Sequence, residues 1–201
     1  LAGAGSGKTR VLTHRLAYLV GKGECSPWEI LAVTFTNKAA GEMKKRVAGL
    51  LGRGVEGLWV GTFHSICARM LRKEGHLLGY GRDYTIYDES DKLAMVKRAM
   101  NQLAIPERKV APKAVGNRIS GAKDSLVDPE QYQASAYDPF EKEVARVYLL
   151  YQQLMHQSQA MDFDDLIFNA VRVLSENPRL GEEYGQRFRH ILVDEYQDTN
   201  H

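Results

Sequence analysis

The sequence predicts an α/β protein: an open parallel sheet with crossover helices, interrupted by a long all-helical insertion. Three observations carry this. Short apolar runs alternate with helical periodicity over the first 79 residues. Helix signals then dominate from Glu89 to about Gln157. An apolar strand, His190-Ile191-Leu192-Val193-Asp194-Glu195, ends the pattern in two carboxylates.

The elements follow in order. The chain opens on Leu1-Ala2-Gly3-Ala4-Gly5-Ser6-Gly7-Lys8-Thr9, a glycine-rich turn of the kind that normally follows a core strand. Only Leu1 precedes it, so the expectation is a chain that starts inside a larger domain. Val11, Leu12, Leu16, Leu19 and Val20 recur at helical spacing. Ser26-Pro27-Trp28-Glu29 reads as a capped helical turn with proline in its first turn. Ile30 to Phe35 is a buried parallel strand, and Thr36 or Asn37 caps a helix from Lys38 to about Leu51. A strand from Leu58 to Phe63 and a helix from His64 to about Glu74 follow. Tyr84 to Tyr87 is one more short strand. Asp128-Pro129 and Asp138-Pro139 repeat a device of Asp cap and first-turn proline. The second of these starts a helix with Phe140, Val144, Val147, Tyr148, Tyr151 and Leu154 on one stripe. A helix from Met161 to Ser175 leads back toward the sheet, and Asn177-Pro178 starts another.

The chain has 201 residues, 44% of them hydrophobic and 26% charged. That suffices for a real core and excludes disorder. No apolar run approaches the roughly 18 residues of a membrane helix, so no membrane partner is expected. Two cysteines, Cys25 and Cys67, cannot make a disulfide framework, and a reducing, cytoplasmic setting follows. The net charge of +2 hides an asymmetry. Residues 1–80 hold 12 Lys/Arg against 5 Asp/Glu, and residues 126–201 hold 6 against 14. A basic first part suits a polyanion, although a plain solvated surface gives the same numbers.

The chemistry concentrates in two places. Residues 2–9 fit the phosphate-loop spacing, with Ala2 where the strict form has glycine. Gly3, Gly5 and Gly7 let the backbone curl so that its amides face phosphate oxygens. The helix that follows presents its positive end to the same anion. Lys8 neutralises the β- and γ-phosphates, and the Thr9 hydroxyl ligates Mg²⁺. Asp194, at the end of an apolar strand, holds Mg²⁺ directly or through water. Glu195 orients and deprotonates an attacking water, which favours nucleotide hydrolysis over transfer to a small molecule. Asp162, Asp164 and Asp165 read as caps of a helix start beside core residues Phe163, Leu166 and Ile167 rather than as a metal cluster.

AGAGSGKTR, AVTFTNKAAGEMKKRV, GTFHSICARMLR, DFDDLI and VDEYQDTN occur in that order. They resemble motifs I, Ia, Ib, Id and II of the UvrD/Rep/PcrA family of superfamily 1 DNA helicases, over the whole chain. The resemblance implies an incomplete RecA-like P-loop NTPase sheet with an inserted all-helical subdomain: 1–79 as the first part of domain 1A, 80–158 as the helical insertion 1B, and 159–201 as the return to 1A. It implies ATP and Mg²⁺ as cofactors, with Ala2, Gly3, Ala4, Gly5, Ser6, Gly7, Lys8, Thr9 and Arg10 at the nucleotide, and Lys8, Asp194 and Glu195 catalytic. Arg10 lies against the adenine or is an ordinary surface arginine. Thr34, Phe35, Thr36, Asn37 and Lys38, with Thr62, Phe63 and His64, sit at the sheet's ligand-binding edge and contact single-stranded DNA. Phe35 stacks on a base or is core; His64 bonds phosphate or has a structural role. Gln197 and Asp198 couple the nucleotide state to the DNA.

The implied function is an ATP-dependent DNA helicase or translocase motor fragment, working 3′-to-5′ in the full-length protein at single-strand/duplex junctions. The insertion's segment Arg118, Ser120, Gly121, Ala122 and Lys123 is a candidate duplex contact. The alternatives are a non-motor, nucleotide-gated DNA-binding module, or the motor subunit of a helicase–nuclease. Motifs III to VI, the arginine fingers and a second RecA-like domain do not occur in these residues, so this piece alone is expected to show negligible ATPase and no unwinding.

Overall fold

In a computed structural model the described residues are 7–52 and 56–196, with the side chain of Lys8 left out. They form a mixed α/β protein, mostly helical, with small parallel sheets. Two compact units divide the chain: Leu1–Cys67 with Leu174–His201, and Ala68–Val173.

The first unit is built on a three-stranded parallel sheet. Its central strand β1 (Ile30–Thr34) lies between β2 (Trp59–Thr62) and the later β5 (His190–Val193). Leu31 pairs with Trp59 and Ile191, and Val33 with Gly61 and Val193. A strand hydrogen-bonded on both sides and covered by helices reads as a continuous apolar run, which is why ILAVT needs no alternation. Helices α1 (Lys8–Gly21) and α2 (Asn37–Leu51) pack together. Leu16, Leu19 and Val20 of α1 and Ala40, Met43 and Val47 of α2 bury against Ile30, Ala32 and Val60. Each Leu, Val, Ile or Met side chain among them contributes about 1.5–3 kcal/mol of burial. Val11, expected on this stripe, is instead exposed: it falls to the side of the arc that Leu12, Leu16, Leu19 and Val20 turn to the core.

Thr36 caps α2 through its hydroxyl, which accepts the Ala39 amide at 3.1 Å. Ser26 and Glu29 form the expected capping box in front of β1. Helix α3 (Phe63–Glu74) begins directly at the end of β2. Later, α9 (Pro178–Arg187) and Phe188 bring Tyr184 and Phe188 edge-on to Trp59, at ring separations of 6.3 and 5.1 Å.

The second unit is a helical cluster of α4 (Glu89–Gln102), α5 (Pro112–Asp124), α6 (Pro129–Ser135) and α7 (Pro139–Gln157). The stripe on α7 buries as expected: Val144, Val147, Tyr148, Tyr151 and Leu154 lie in the core with Met95, Ala99, Val115 and Ile119. Asp128 and Asp138 cap α6 and α7, accepting the Gln131 and Glu141 amides at 2.7 and 2.8 Å. The short strand expected near Tyr84 is β3 (Thr85–Ile86). It pairs in parallel with β4 (Ala160–Met161), which the sequence did not suggest, and with it encloses the four helices. Arg72 fixes the approach to β3. Its guanidinium donates to the Arg82 and Tyr84 carbonyls at 2.6 Å and lies 3.9 Å above the Tyr84 ring.

Helix α8 (Phe163–Glu176) starts after β4. Asp162 caps it, accepting the Asp165 amide at 2.7 Å. Of the three apolar residues expected in the core there, Leu166 is buried, but Phe163 and Ile167 are exposed because they fall on the opposite side of the helix. The candidate duplex-contact segment on α5 is corrected in part: Arg118 and Gly121 are exposed and Ser120 is half-buried, but the rest faces inward. Ala122 and Lys123 are buried, and Lys123 turns inward to Asp162 and Asp165 at 2.7 and 2.8 Å. Among the described residues no helix is long and apolar enough to cross a membrane, and both cysteines are free thiols.

Candidate functional site at the carboxyl edge of the sheet

Because β1, β2 and β5 are parallel, their carboxyl ends emerge along one edge, where open α/β sheets place ligands. Three chain segments arrive there: Thr34–Lys38 after β1, Thr62–His64 after β2, and Asp194–Glu195 after β5.

Thr9, in the first turn of α1, donates its hydroxyl to Asp194 Oδ2 at 2.8 Å, joining residues 185 positions apart. The Asp194 amide donates to the Val33 carbonyl at 2.9 Å, so the β1–β5 pairing continues one residue past the strand and fixes the carboxylate. Asp194 is only 5% exposed, and its Oδ1 is buried without a hydrogen-bond partner among the described residues. A buried carboxylate oxygen left unmatched is costly. A hydroxyl beside a carboxylate is the oxygen chemistry of a hard divalent cation, so these residues fit Mg²⁺. Glu195 follows in the left-handed region at φ 52°. A non-glycine residue held there carries local strain of the sort that accumulates at functional positions.

Gly7 caps α1 at φ 83°, and among the described residues no side-chain cap bonds the first-turn amides of that helix. They remain available to an anion, reinforced by the helix dipole. Arg10 is exposed on the first turns of α1. Ala2, Gly3, Ala4, Gly5, Ser6, the Lys8 side chain, Gln197 and Asp198 lie outside the described residues.

The two post-strand segments resemble each other. Thr34 is buried and donates its hydroxyl to the Thr36 carbonyl at 3.0 Å, tightening the turn. Phe35, Thr36, Asn37 and Lys38 are all exposed, with Phe35 at 43%. That removes the core reading of Phe35. Its ring meets Phe63 edge-to-face at 5.8 Å. Thr62 caps α3 by accepting the Ser65 amide at 3.2 Å, and Phe63 and His64 are half-buried. Two residues that sequence reasoning did not single out build this turn. Ser65 donates its hydroxyl to the Thr62 carbonyl at 2.9 Å, and Gly61 faces that hydroxyl with no room for a Cβ. The run Gly-Thr-Phe-His-Ser carried the signal, as a hydroxyl cap three residues before a second hydroxyl.

Among the described residues no three His, Cys, Asp or Glu side chains gather into a metal site. The acidic run at 162–165 serves other ends. Asp162 and Asp165 hold Lys123, and Asp164 accepts Lys92 at 2.6 Å and Ser120 at 2.7 Å.

Comparison with known proteins settles the ancestry of this arrangement. Residues 1–201 match the UvrD/REP helicase N-terminal domain. The chain belongs to that family. It is 44% identical over 200 residues to the ATP-dependent DNA helicase PcrA of Bacillus subtilis, and 44% identical over 201 residues to that of Leuconostoc citreum. The PcrA helicase of Staphylococcus aureus gives 44% over 200 residues. All of this chain is covered in each case, but it spans only 27% of the length of these relatives. Among the described residues, Thr9 and Asp194 are two of the expected nucleotide-site residues that the structure brings into hydrogen-bond contact.

Proposed function

We propose that this chain is the first nucleotide-binding part of a DNA-translocating motor that binds ATP with Mg²⁺, holds single-stranded DNA and drives 3′-to-5′ unwinding in the full-length protein. Its sheet is then a RecA-like P-loop core formed by 1–79 and 159–201, carrying 80–158 as an inserted helical subdomain. The observation that carries the reading is the Thr9–Asp194 hydrogen bond, with an Asp194 Oδ1 unmatched among the described residues, at the carboxyl edge of a parallel sheet.

Residues 2–7 and the first amides of α1 cradle the phosphates. Lys8 neutralises negative charge at the β- and γ-phosphates, and Arg10 packs on the adenine. Thr9 and Asp194 hold Mg²⁺, which when bound offsets charge on the phosphate oxygens. Glu195 orients a water and accepts its proton. Phe35 and Phe63 present ring faces and edges to bases, while Thr34, Thr36, Asn37, Lys38, Thr62 and His64 position the strand through its backbone. Such contacts grip DNA with little base preference. Gln197 and Asp198 relay the nucleotide state to that grip, and the single-strand/duplex junction is the substrate of the whole motor.

Titration of a fluorescent ATP analogue onto the chain tests the carrying observation. Tight binding is expected only with Mg²⁺, and Asp194→Asn is expected to weaken it about tenfold or more. Binding that ignores both Mg²⁺ and Asp194 would remove the basis of the proposal.

A further inference from the structure

Strand register brings two rings together at the carboxyl edge of the sheet. In the parallel pairing of β1 with β2, Thr34 stands opposite Thr62. The next residue on each chain segment is a phenylalanine, Phe35 and Phe63, and neighbouring strands run only about 4.8 Å apart. The two rings therefore meet, edge-to-face at 5.8 Å with their planes inclined at 64°. They are held unequally. Phe63 is the first residue of α3 and is half-buried. Thr62 caps that helix, and Ser65 ties its hydroxyl back to the Thr62 carbonyl. Phe35 lies between β1 and the cap of α2. The Thr34–Thr36 hydrogen bond tightens its backbone turn, but the residue is 43% exposed. Among the described residues, Phe63 is the ring that packs on it.

Edge-to-face pairing is favourable beyond the burial it brings. A ring ordered in advance does not have to be ordered when a ligand arrives. We propose that Phe63 is a positioning residue: it holds the Phe35 ring in the orientation that stacks on a base of single-stranded DNA. Its part in DNA binding is exerted through Phe35. This rests on the DNA reading of the sheet edge and narrows the role of Phe63 within it. The two post-strand segments then form one gripping unit, joined by the β1–β2 register.

A mutant cycle in the full-length protein, read by fluorescence anisotropy of labelled oligothymidylate, tests this. Phe63→Leu keeps apolar bulk but loses the ring, and is expected to weaken binding about three- to tenfold. Phe63→Tyr keeps the ring and is expected to recover most of that loss. In the Phe35→Ala background Phe63→Leu is expected to add nothing, because the ring it positions is gone. 4-Fluorophenylalanine at position 35 gives a readout without DNA. Its fluorine NMR signal is expected to shift in Phe63→Leu and to stay near its place in Phe63→Tyr. Losses that add, a leucine that binds as well as the native ring, or an unmoved fluorine signal would overturn the positioning role and leave the DNA reading standing. Full affinity in Phe35→Ala would overturn the DNA reading, and the proposal with it.

Discussion

Two buried acidic sites treat their carboxylates in opposite ways. In the helical unit, Asp162 accepts from Lys123, from the Tyr151 hydroxyl at 2.6 Å and from the Asp165 amide. Asp165 in turn holds Lys123 and Gln152 and accepts the Asp162 amide at 3.1 Å. At the carboxyl edge of the sheet, Asp194 has, among the described residues, one side-chain partner, Thr9, and one oxygen with none. A closed buried network holds architecture together, whereas an open one leaves room for something to arrive. The number of acids does not separate structure from function here. What separates them is whether each oxygen is matched.

The largest expected effect breaks the closed network. Lys123→Met leaves two buried carboxylates without their cation, and urea unfolding is expected to show a loss of about 3–5 kcal/mol. A loss below about 1 kcal/mol would mean the network is not closed in solution. At the open site the contrast inverts. Asp194→Asn is expected to leave unfolding stability within about 0.5 kcal/mol or raise it, while nucleotide affinity falls.

Next in size is Phe35→Ala in the full-length protein. Stacking on a base is worth about 1–3 kcal/mol, so single-stranded DNA affinity is expected to fall about tenfold or more, with little change in folding stability for so exposed a ring. Unchanged DNA binding would return Phe35 to a role in the turn alone.

The smallest effect is a change of slope with pH. Burial pushes both acids upward. For Asp162 the Lys123 charge and the hydrogen bonds from Lys123 and Tyr151 prevail and hold its carboxyl at about 2. For Asp165 burial and the neighbouring Asp162 charge prevail over Lys123 and raise it to about 6. A lowered acid contributes stability that is lost as pH falls through the window from about 4 to 2. A raised acid favours folding while it is protonated, and that contribution is lost as pH rises from about 4 to 6. Asp165→Asn is therefore expected to flatten the decline between pH 4 and 6 and leave the acid limb in place. An unaltered decline would assign it to other groups.

Much of the frame was legible in the sequence. The Asp-Pro pairs named their helix caps, since a carboxylate before a first-turn proline has one common use. The apolar runs gave β1, β2 and β5 to within a residue or two. What escaped was whatever depends on pairing across the chain. Nothing local in Ala160-Met161 marks a strand, because β4 is two residues long and exists through β3. Lys123 looked like a surface cation, and only its spacing from Ile119 and Val115, on the buried stripe of α5, hinted that it faces inward. At the site, the sequence named Thr9 and Asp194 separately. Their 2.8 Å approach, the left-handed Glu195 and the unmatched oxygen are products of sheet register.

The β3–β4 pair has a consequence of its own. It sets Thr85 beside Ala160, so the polypeptide between them leaves and rejoins the same place. Closing a long excursion costs little more than closing a shorter one, about 0.6 kcal/mol for each doubling of length. Once its two ends are clasped, such a detour can lengthen, shrink or be exchanged for another without disturbing the clasp. The excursion can thus change length at little cost in closure while Thr85 and Ala160 stay paired.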